Sequence, residues 1–280
     1  MIIDGKEIAA GILKDLKQRV EELKKKGVTP NLYIILLSDD PSSGSYVKQK
    51  MLRGEEIGVK ITLENADPQI STEKLIEKIN RLNNNPSVHG IIVQRPMPKQ
   101  LDEEKIEFSV IPQKDVDGFN PNSKFGVPVA LAVMEILSKL KTENLKLKNL
   151  NFEGWLKTQK ITVIGRGLTA GKPIINSFKK MGIEPFVISS QTQNPEEVLK
   201  NSDIVVSAVG KPNIINSSNV KKGTILIGVG MHREEDGKFH GDYDEEEIQN
   251  TASFYTPTPK GVGPVNVSML LKNLVEASEK

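Results

Sequence analysis

The chain has 280 residues, of which 37% are hydrophobic and 26% charged, an ordinary balance for a globular protein of one or two domains. A formal net charge of +2 with scattered lysines argues against a nucleic-acid partner, and the absence of cysteine excludes disulfides, thiolate catalysis and cysteine-ligated zinc. No segment resembles a signal peptide or a membrane span, so we expect a cytoplasmic protein without a membrane partner.

The first half of the chain alternates apolar strands with helices. A short strand at Ile2 and Ile3 precedes a predicted helix over 6–26, and the run NLYIILL then predicts a buried strand. The polar loop SDDPSS, a helix from about Gly44, the strand ITLENA, a helix over 71–82 and the strand HGIIVQ follow in order. Strands separated by helices of this length predict a parallel sheet with helices on both faces.

A second run of the same kind begins at Ile161, with the strands ITVIG, PFVISS, DIVVSAV and TILIGVG. A Lys/Asn-rich segment over 142–160, which carries Trp155, is interpreted as the connection between two domains. The chain ends in an amphipathic helix, VNVSMLLKNLVEASEK. The pattern therefore predicts a two-domain α/β protein, with a first domain over 1–145 and a Rossmann-type second domain over 146–264.

A glycine-rich loop follows the strand ITVIG and leads into a helix. It reads G-x-G-x-x-A with one further glycine, from Gly165 through Arg166, Gly167 and Ala170 to Gly171. Glycines let the backbone approach a pyrophosphate, and the start of the helix supplies free N–H donors. Because this pattern also occurs in tight turns that bind nothing, the strand–turn–helix setting is what favours a dinucleotide site.

The next strand indicates which dinucleotide binds. NAD sites usually place an acid at its end to bind the ribose 2′-hydroxyl, whereas here Ser189, Ser190 and Gln191 follow Ile188. Hydroxyls and an amide suit a 2′-phosphate, and Arg166 would neutralise it unless it is merely a solvated loop residue. The sequence therefore predicts NADP as the cofactor, and it predicts no metal site.

A second group of polar residues lies in the first half. Tyr46 and Lys50 are four residues apart and share a helix face, although most such pairs are surface residues. The pair precedes the glycine loop by over a hundred residues, which excludes a short-chain dehydrogenase. Gln94 ends the strand HGIIVQ, at the edge of a sheet where α/β proteins bind ligands. Asp117 lies in the acidic turn KDVDGF, which by itself is more typical of a solvated turn than of a binding site.

Six segments taken together resemble the bifunctional methylenetetrahydrofolate dehydrogenase/cyclohydrolase family over essentially the whole chain. They are DPSSGSYVKQK, GIIVQRPMP, KDVDGF, VIGRGLTAGKP, SDIVVSAVGKP and TPTPKGVGPVNV, in the family's order and approximate spacing. The resemblance implies NADP-dependent oxidation of 5,10-methylenetetrahydrofolate and hydrolysis of the methenyl product to 10-formyltetrahydrofolate. It also implies that 1–145 is the substrate domain, that the last helix (265–280) returns to it, and that 146–264 binds NADP. The family is usually a cytoplasmic homodimer whose folate site is a cleft between the two domains, and the resemblance implies the same here.

The resemblance implies a role for each site residue. Tyr46 would stack on the folate ring system, Lys50 would be the catalytic amine, Gln94 would hydrogen-bond Lys50, and Asp117 would bind the amino-pyrimidine edge. The C-terminal loop would add two folate contacts, Gly261 and Pro264. The cofactor would be held by Gly165, Arg166, Gly167, Gly171, Ser189 and Ser190, with the turn of Val209 and Gly210 beside it.

The chain departs from the family pattern mainly on the cofactor side. A Pro-Cys-Thr-Pro-x-Gly segment is replaced by 127–132, which has no hydroxyl, and Gly228 stands where the family has an aspartate. Arg95 replaces a usual leucine beside Gln94. It would lower the pKa of Lys50 or meet an acidic part of the substrate if it faces the site, and otherwise it is an exposed strand-end residue.

The sequence leaves open three alternatives to the bifunctional enzyme. The departures on the cofactor side are compatible with an enzyme that keeps only the cyclohydrolase activity. A two-domain NADP dehydrogenase of the shikimate type shares the architecture but does not explain Tyr46, Gln94 and the KDVDGF turn. A folate- or nucleotide-binding protein without turnover is supported only by the altered segment 127–132, and Lys50 argues against it.

Overall fold

A computed structural model describes residues 1–37, 41–145, 147, 149–234 and 237–280, and for 41–43 the backbone alone. The helices are α1 (Gly5–Lys25), α2 (Pro41–Ile57), α3 (Thr72–Asn83), α4 (Glu103–Ser109), α5 (Pro128–Lys139), α6 (Phe152–Lys157), α7 (Gly171–Lys180), α8 (Pro195–Lys200), α9 (Glu245–Ile248) and α10 (Val262–Ser278). The strands are β1 (Asn31–Leu36), β2 (Lys60–Asn65), β3 (Gly90–Val93), β4 (Ile161–Ile164), β5 (Phe186–Ile188), β6 (Ile204–Ser207), β7 (Ile225–Gly228), β8 (Met231–Arg233), β9 (Phe239–Gly241) and β10 (Phe254–Tyr255).

The chain forms two compact units. The first unit comprises 10–128 and 267–280, and the second comprises 1–9 and 129–266. Both contain parallel sheets, which confirms the predicted α/β architecture. No helix in the described part of the chain is long and apolar enough to span a membrane.

The sheet of the first unit has three parallel strands in the order β2-β1-β3. Neighbouring residues of the central strand face opposite sides, so that Ile34 packs with α1 and α10 while Ile35 packs with α3 and α4. The predicted covering of both faces by helices is therefore observed. Helix α3 begins where the sequence places it, because the Ser71 hydroxyl accepts a hydrogen bond from the Lys74 N–H at 3.3 Å.

The sheet of the second unit has five parallel strands in the order β10-β7-β6-β4-β5. The first strand of this unit, β4, is inside the sheet, and the chain continues to β5 on one side of it and later to β6 on the other. The strand order therefore reverses between β4 and β6, and ligands of doubly wound sheets bind where this happens, outside the carboxyl ends of the strands. An antiparallel pair, β8 and β9, follows β7.

The compact units differ from the predicted domains at both ends of the second unit. Residues 1–9 belong to it because Ile3 and Met1 pair with Tyr255 of β10, through Ile3 N to Tyr255 O at 2.8 Å and Tyr255 N to Met1 O at 3.0 Å. The other boundary lies at 128/129 and not at 145/146. Helix α10 returns to the first unit from residue 267.

Local differences from the predicted elements are few. The predicted first strand is a single bridge between Ile2 and Tyr255. The predicted connection over 142–160 contains helix α6 with a buried Trp155, and a π-helical turn (Leu140–Asn144) precedes it. Helix α2 begins at Pro41, so that the second half of the predicted loop SDDPSS is helical, whereas 38–40, 146 and 148 lie outside the described residues.

Candidate active site

The first site residues lie on α2, which follows the central strand β1. Tyr46 and Lys50 share one face of this helix, as the spacing predicts, and the Lys50 Nζ lies 4.8 Å from the centroid of the Tyr46 ring. The Lys50 side chain is buried, with only 2% of its surface exposed, while Tyr46 is half-buried against the core of the unit. A surface pair would not bury the lysine, so the structure favours the functional interpretation of this motif.

Gln94 joins this pair from the end of β3. Its backbone N–H donates to Ile35 O at 2.8 Å, which continues the pairing of β3 with β1 and brings the side chain towards α2. The Gln94 Oε1 accepts a hydrogen bond from Lys50 Nζ at 3.0 Å, and its Nε2 donates to Arg95 O at 2.9 Å. These two bonds fix the amide so that its oxygen, and not its nitrogen, faces the amine.

The electrostatic state of Lys50 follows from this environment. Burial lowers the pKa of Lys50 below its usual value, and the negative charge of Asp117 partly opposes this effect. Gln94 supplies a hydrogen bond without a charge that would hold the lysine as an ammonium. A neutral amine that accepts a proton is therefore more accessible here than at an exposed lysine.

The turn that carries Asp117 is held by its neighbours. Asp115 is buried, and its carboxylate accepts hydrogen bonds from the N–H groups of Asn120 at 2.9 Å and Gly118 at 3.2 Å. Burial raises the pKa of Asp115 to about 6. The Lys114 Nζ donates to three carbonyl groups at the end of α3, at 2.7 to 3.0 Å. Two of the charged residues of KDVDGF thus shape the turn, and half-buried Asp117 is the one left to meet a ligand.

Arg95 lies in a group of ion pairs just after β3. Its guanidinium forms ion pairs with Glu103, at 2.7 Å, and with Glu107, and it lies 4.8 Å from the centroid of the Phe119 ring. The side chain is only 16% exposed, so it is not a solvated strand-end residue. Since two carboxylates already pair with its charge, Arg95 supplies no uncompensated cation that would lower the pKa of Lys50.

The glycine loop lies in the second unit, between β4 and α7. Gly165 has a φ of +96°, and a side chain on it would come within 2.8 Å of Ala208 O. A side chain on Gly171 would overlap Gly165 O, whereas one at Gly167 would meet open space. The loop is therefore a backbone cradle at the start of a helix, and two of its three predicted glycines are sterically required. This geometry fits the pyrophosphate of a dinucleotide.

The residues predicted to select the cofactor follow β5. The Ser189 N–H bonds Thr192 Oγ1 at 2.9 Å, and the Ser189 hydroxyl accepts from the Gln191 N–H at 3.3 Å, so Ser189 mainly closes this turn. Ser190 is exposed. The exposed Arg166 reaches the same turn, with its Nη2 3.5 Å from Gln191 Oε1. A guanidinium beside hydroxyl and amide groups fits a phosphate better than a bare ribose hydroxyl.

The remaining predicted residues also belong to the second unit. Val209 and Gly210 form a turn after β6, at the same sheet edge as the glycine loop, because β4 and β6 are parallel neighbours. Gly261 precedes α10 and packs so closely that a side chain would lie 2.5 Å from Pro257 O, and Pro264 lies in the first turn of α10. The structure therefore groups Tyr46, Lys50, Gln94 and Asp117 in one unit and the other predicted residues in the second. Among the described residues, no cluster of three or more His, Asp or Glu side chains is arranged to hold a metal ion.

Comparison with known proteins extends this picture over the whole chain. Residues 3–117 match the catalytic-domain model of tetrahydrofolate dehydrogenase/cyclohydrolase, and 131–280 match its NAD(P)-binding-domain model. The chain is 38% identical to the bifunctional protein FolD of Macrococcus caseolyticus, with 100% of this chain and 98% of the relative aligned. It is 39% identical to the protein of the same name from Staphylococcus epidermidis, over 99% and 96% of the two chains.

Solved structures agree with the sequence matches. The bifunctional methylenetetrahydrofolate dehydrogenase/cyclohydrolase of Campylobacter jejuni superimposes with a TM-score of 0.90 at 34% identity, covering 100% of this chain and 98% of the other. The enzyme of Trypanosoma brucei, solved with NADP and an inhibitor, has a TM-score of 0.88 at 29% identity, with 100% and 97% covered. These matches confirm the predicted resemblance, the fold class and an enzyme with a nicotinamide cofactor. The chain belongs to the tetrahydrofolate dehydrogenase/cyclohydrolase family.

Proposed function

We propose that this protein oxidises 5,10-methylenetetrahydrofolate with NADP and hydrolyses the resulting 5,10-methenyltetrahydrofolate to 10-formyltetrahydrofolate. The observation that carries the proposal is the buried Lys50, whose pKa is lowered and whose Nζ is hydrogen-bonded to a neutral amide. Hydrolysis of a cationic methenyl group needs a proton acceptor, and none of the predicted site residues is a histidine. Neither Lys50 nor its neighbours Gln94 and Asp117 would need this arrangement in a protein that only binds folate.

In the hydrolysis, the chain's own residues activate the attacking water and orient the folate. Neutral Lys50 accepts a proton from the water that adds to the methenyl carbon, and Gln94 holds the amine in place. When the carbon–nitrogen bond of the ring breaks, one proton of the water is transferred to the released nitrogen. The other passes from Lys50 to solvent, which returns the amine to its neutral form. Tyr46 offers a flat face for stacking the folate ring system, and Asp117 accepts hydrogen bonds from its amino-pyrimidine edge.

For the oxidation, the second unit supplies binding and orientation. Bound NADP would supply the acceptor for the hydride of the methylene carbon, and this chemistry belongs to the cofactor. The cradle of Gly165, Gly167 and Gly171 would hold the pyrophosphate, and Arg166 with Ser189 and Ser190 would hold the 2′-phosphate. The turn of Val209 and Gly210 would lie beside the dinucleotide, while Gly261 and Pro264 would contact the folate.

The assembly and location follow from the family resemblance. We infer a homodimer in the cytoplasm, with a small-molecule folate as substrate and without a nucleic-acid or membrane partner. Sedimentation of the purified protein at several concentrations tests the dimer, and a monomer at every concentration would contradict it.

The activity itself is tested with methylenetetrahydrofolate and either NADP or NAD, in wild type and in Lys50→Ala. We expect reduced NADP to form without accumulated methenyl compound in wild type, and the methenyl compound to build up in the variant. A wild type that hydrolyses methenyltetrahydrofolate but reduces neither cofactor would show that only the cyclohydrolase is present. Binding of both ligands without any turnover would refute the proposal.

A further inference from the structure

A buried carboxylate lies beneath the cofactor side of the second unit, at a position that the sequence motifs do not single out. Asp242 follows β9 and has no exposed surface. Its carboxylate accepts hydrogen bonds from the Ser207 hydroxyl at 2.5 Å, the Val209 N–H at 3.1 Å and the Lys211 N–H at 2.9 Å. A carboxylate so deeply buried is costly, and here it is stabilised by three donors from a single short segment.

The Ser207 hydroxyl donates from the last residue of β6, and the two backbone donors belong to the turn that follows it. Gly210, between the two backbone donors, has a φ of +69°, and a side chain on it would come within 2.8 Å of Met231 O. A side chain on Gly230 would overlap both the Asp242 carboxylate and Gly210 N. The turn, Asp242 and Gly230 are thus packed without spare room, so the carboxylate determines the conformation of the turn.

The same turn is joined directly to the glycine loop. Ala208 N–H donates to Ile164 O at 2.9 Å, and Gly165 approaches Ala208 O so closely that a side chain there would lie 2.8 Å from it. Both loops lie at the carboxyl ends of β4 and β6, where the strand order of the sheet reverses and where doubly wound sheets bind their ligands. A shift of the turn therefore changes the surface that a dinucleotide meets.

We propose that Asp242 is a positioning residue for the dehydrogenase reaction, because it fixes the Val209–Lys211 turn against which NADP binds. The inference rests on the proposed function. It assigns Asp242 to one of the two activities only, since the Lys50 site in the first unit hydrolyses its substrate without a dinucleotide. The hydrolysis therefore serves as an internal measure of correct folding in the same protein.

The test compares Asp242→Asn with Ser207→Ala. An asparagine side chain can accept from only one of the two backbone N–H groups and turns its own donors towards the other. We expect the KM for NADP to rise about tenfold or more, with a smaller change in kcat and with methenyltetrahydrofolate hydrolysis unchanged. Ser207→Ala removes the hydroxyl donor but leaves both backbone bonds to the turn, so its KM for NADP remains close to that of wild type.

Gly230→Ala provides a second variant, because it keeps the carboxylate and forces it away from the turn. It should raise the KM for NADP in the same way. An unchanged KM for NADP in both variants, or a parallel loss of both activities with the folded structure, overturns the proposal and leaves Asp242 a purely structural residue. A wild type that converts neither methylenetetrahydrofolate nor methenyltetrahydrofolate would instead refute the proposed function, so the two failures are distinguishable.

Discussion

The hydrogen bond between Lys50 and Gln94 allows a direct test of the hydrolytic mechanism. We predict that Gln94→Glu suppresses methenyltetrahydrofolate hydrolysis at neutral pH. In the wild type, Lys50 Nζ donates to an uncharged oxygen 3.0 Å away, and burial lowers the pKa of Lys50. A glutamate would place a negative charge at the same position and stabilise the ammonium form, which cannot accept a proton.

The size of this effect follows from the geometry. Two unit charges at the observed 3.0 Å attract each other by about 5.5 kcal/mol at an effective dielectric constant of about 20. This energy corresponds to roughly 4 pKa units for the lysine. Because the buried carboxylate of the variant also loses hydration, we take about half of this attraction as the net effect. The pKa of Lys50 should then rise by about 2 in the variant. At a pH below the wild-type pKa of Lys50, the neutral fraction of this lysine then falls by up to about 100-fold.

The assay is the pH dependence of methenyltetrahydrofolate hydrolysis, followed by loss of the methenyl absorbance. In Gln94→Glu the inflection of the rate should move to higher pH, so that activity partly recovers in mildly alkaline buffer. Gln94→Met is the matched control, since it removes the hydrogen bond without adding a charge and should not move the inflection upwards. Identical inflections in wild type and Gln94→Glu would refute the assignment of Lys50 as the proton acceptor.

Three further substitutions test other parts of the structure. Lys50→Met should abolish hydrolysis yet raise the free energy of unfolding at neutral pH by on the order of 1 kcal/mol. Melting curves should show this advantage shrinking at alkaline pH, where the lysine of the unfolded wild-type chain also becomes neutral. Gly171→Ala should reduce dehydrogenase activity at least about tenfold and spare hydrolysis, because the new side chain overlaps Gly165 O. The pKa of Asp115, raised to about 6, makes its ionised form unfavourable in the folded state. The contribution of Asp115 to stability is therefore present at low pH and lost as the pH rises. Relative to Asp115→Asn, the free energy of unfolding of wild type should fall by about 3 kcal/mol between the ordinary pKa of an aspartate and a pH of about 6. Denaturant titrations at these two pH values can measure the difference.

Much of the fold could be predicted because its signals are local. The apolar run of β1 and the capped start of α3 at Ser71 identify their elements without reference to distant residues. The pair of Tyr46 and Lys50 was placed on one helix face by its spacing alone. The family motifs then linked this pair to Gln94 and Asp117, although 44 residues separate Lys50 from Gln94.

The features that sequence patterns missed depend on distant partners. The strands β8 and β9 have three residues each, and their sequences, MHR and FHG, are exposed or part-exposed and lack the apolar run that marks a buried strand. Asp242 bonds to residues more than thirty positions earlier in the chain, so nothing around it in the sequence indicates its role. The sequence predicts that the N-terminal residues belong to the first domain, yet their backbone pairs with β10 near the other end of the chain.

Gly228 shows why a departure from a family pattern does not by itself predict lost function. A side chain at this position would lie 2.9 Å from the hydroxyl oxygen of Tyr243, so glycine and tyrosine are required together. The Tyr243 hydroxyl donates to Thr256 O at 2.6 Å, and the Gly228 N–H donates to Thr256 Oγ1 at 2.8 Å. The space beside Gly228 is thus filled by a buried, hydrogen-bonded hydroxyl that joins the ends of β7 and β10. Gly228 is thus accommodated by these hydrogen-bonded neighbours, and the departure gives no structural reason to expect a damaged dehydrogenase.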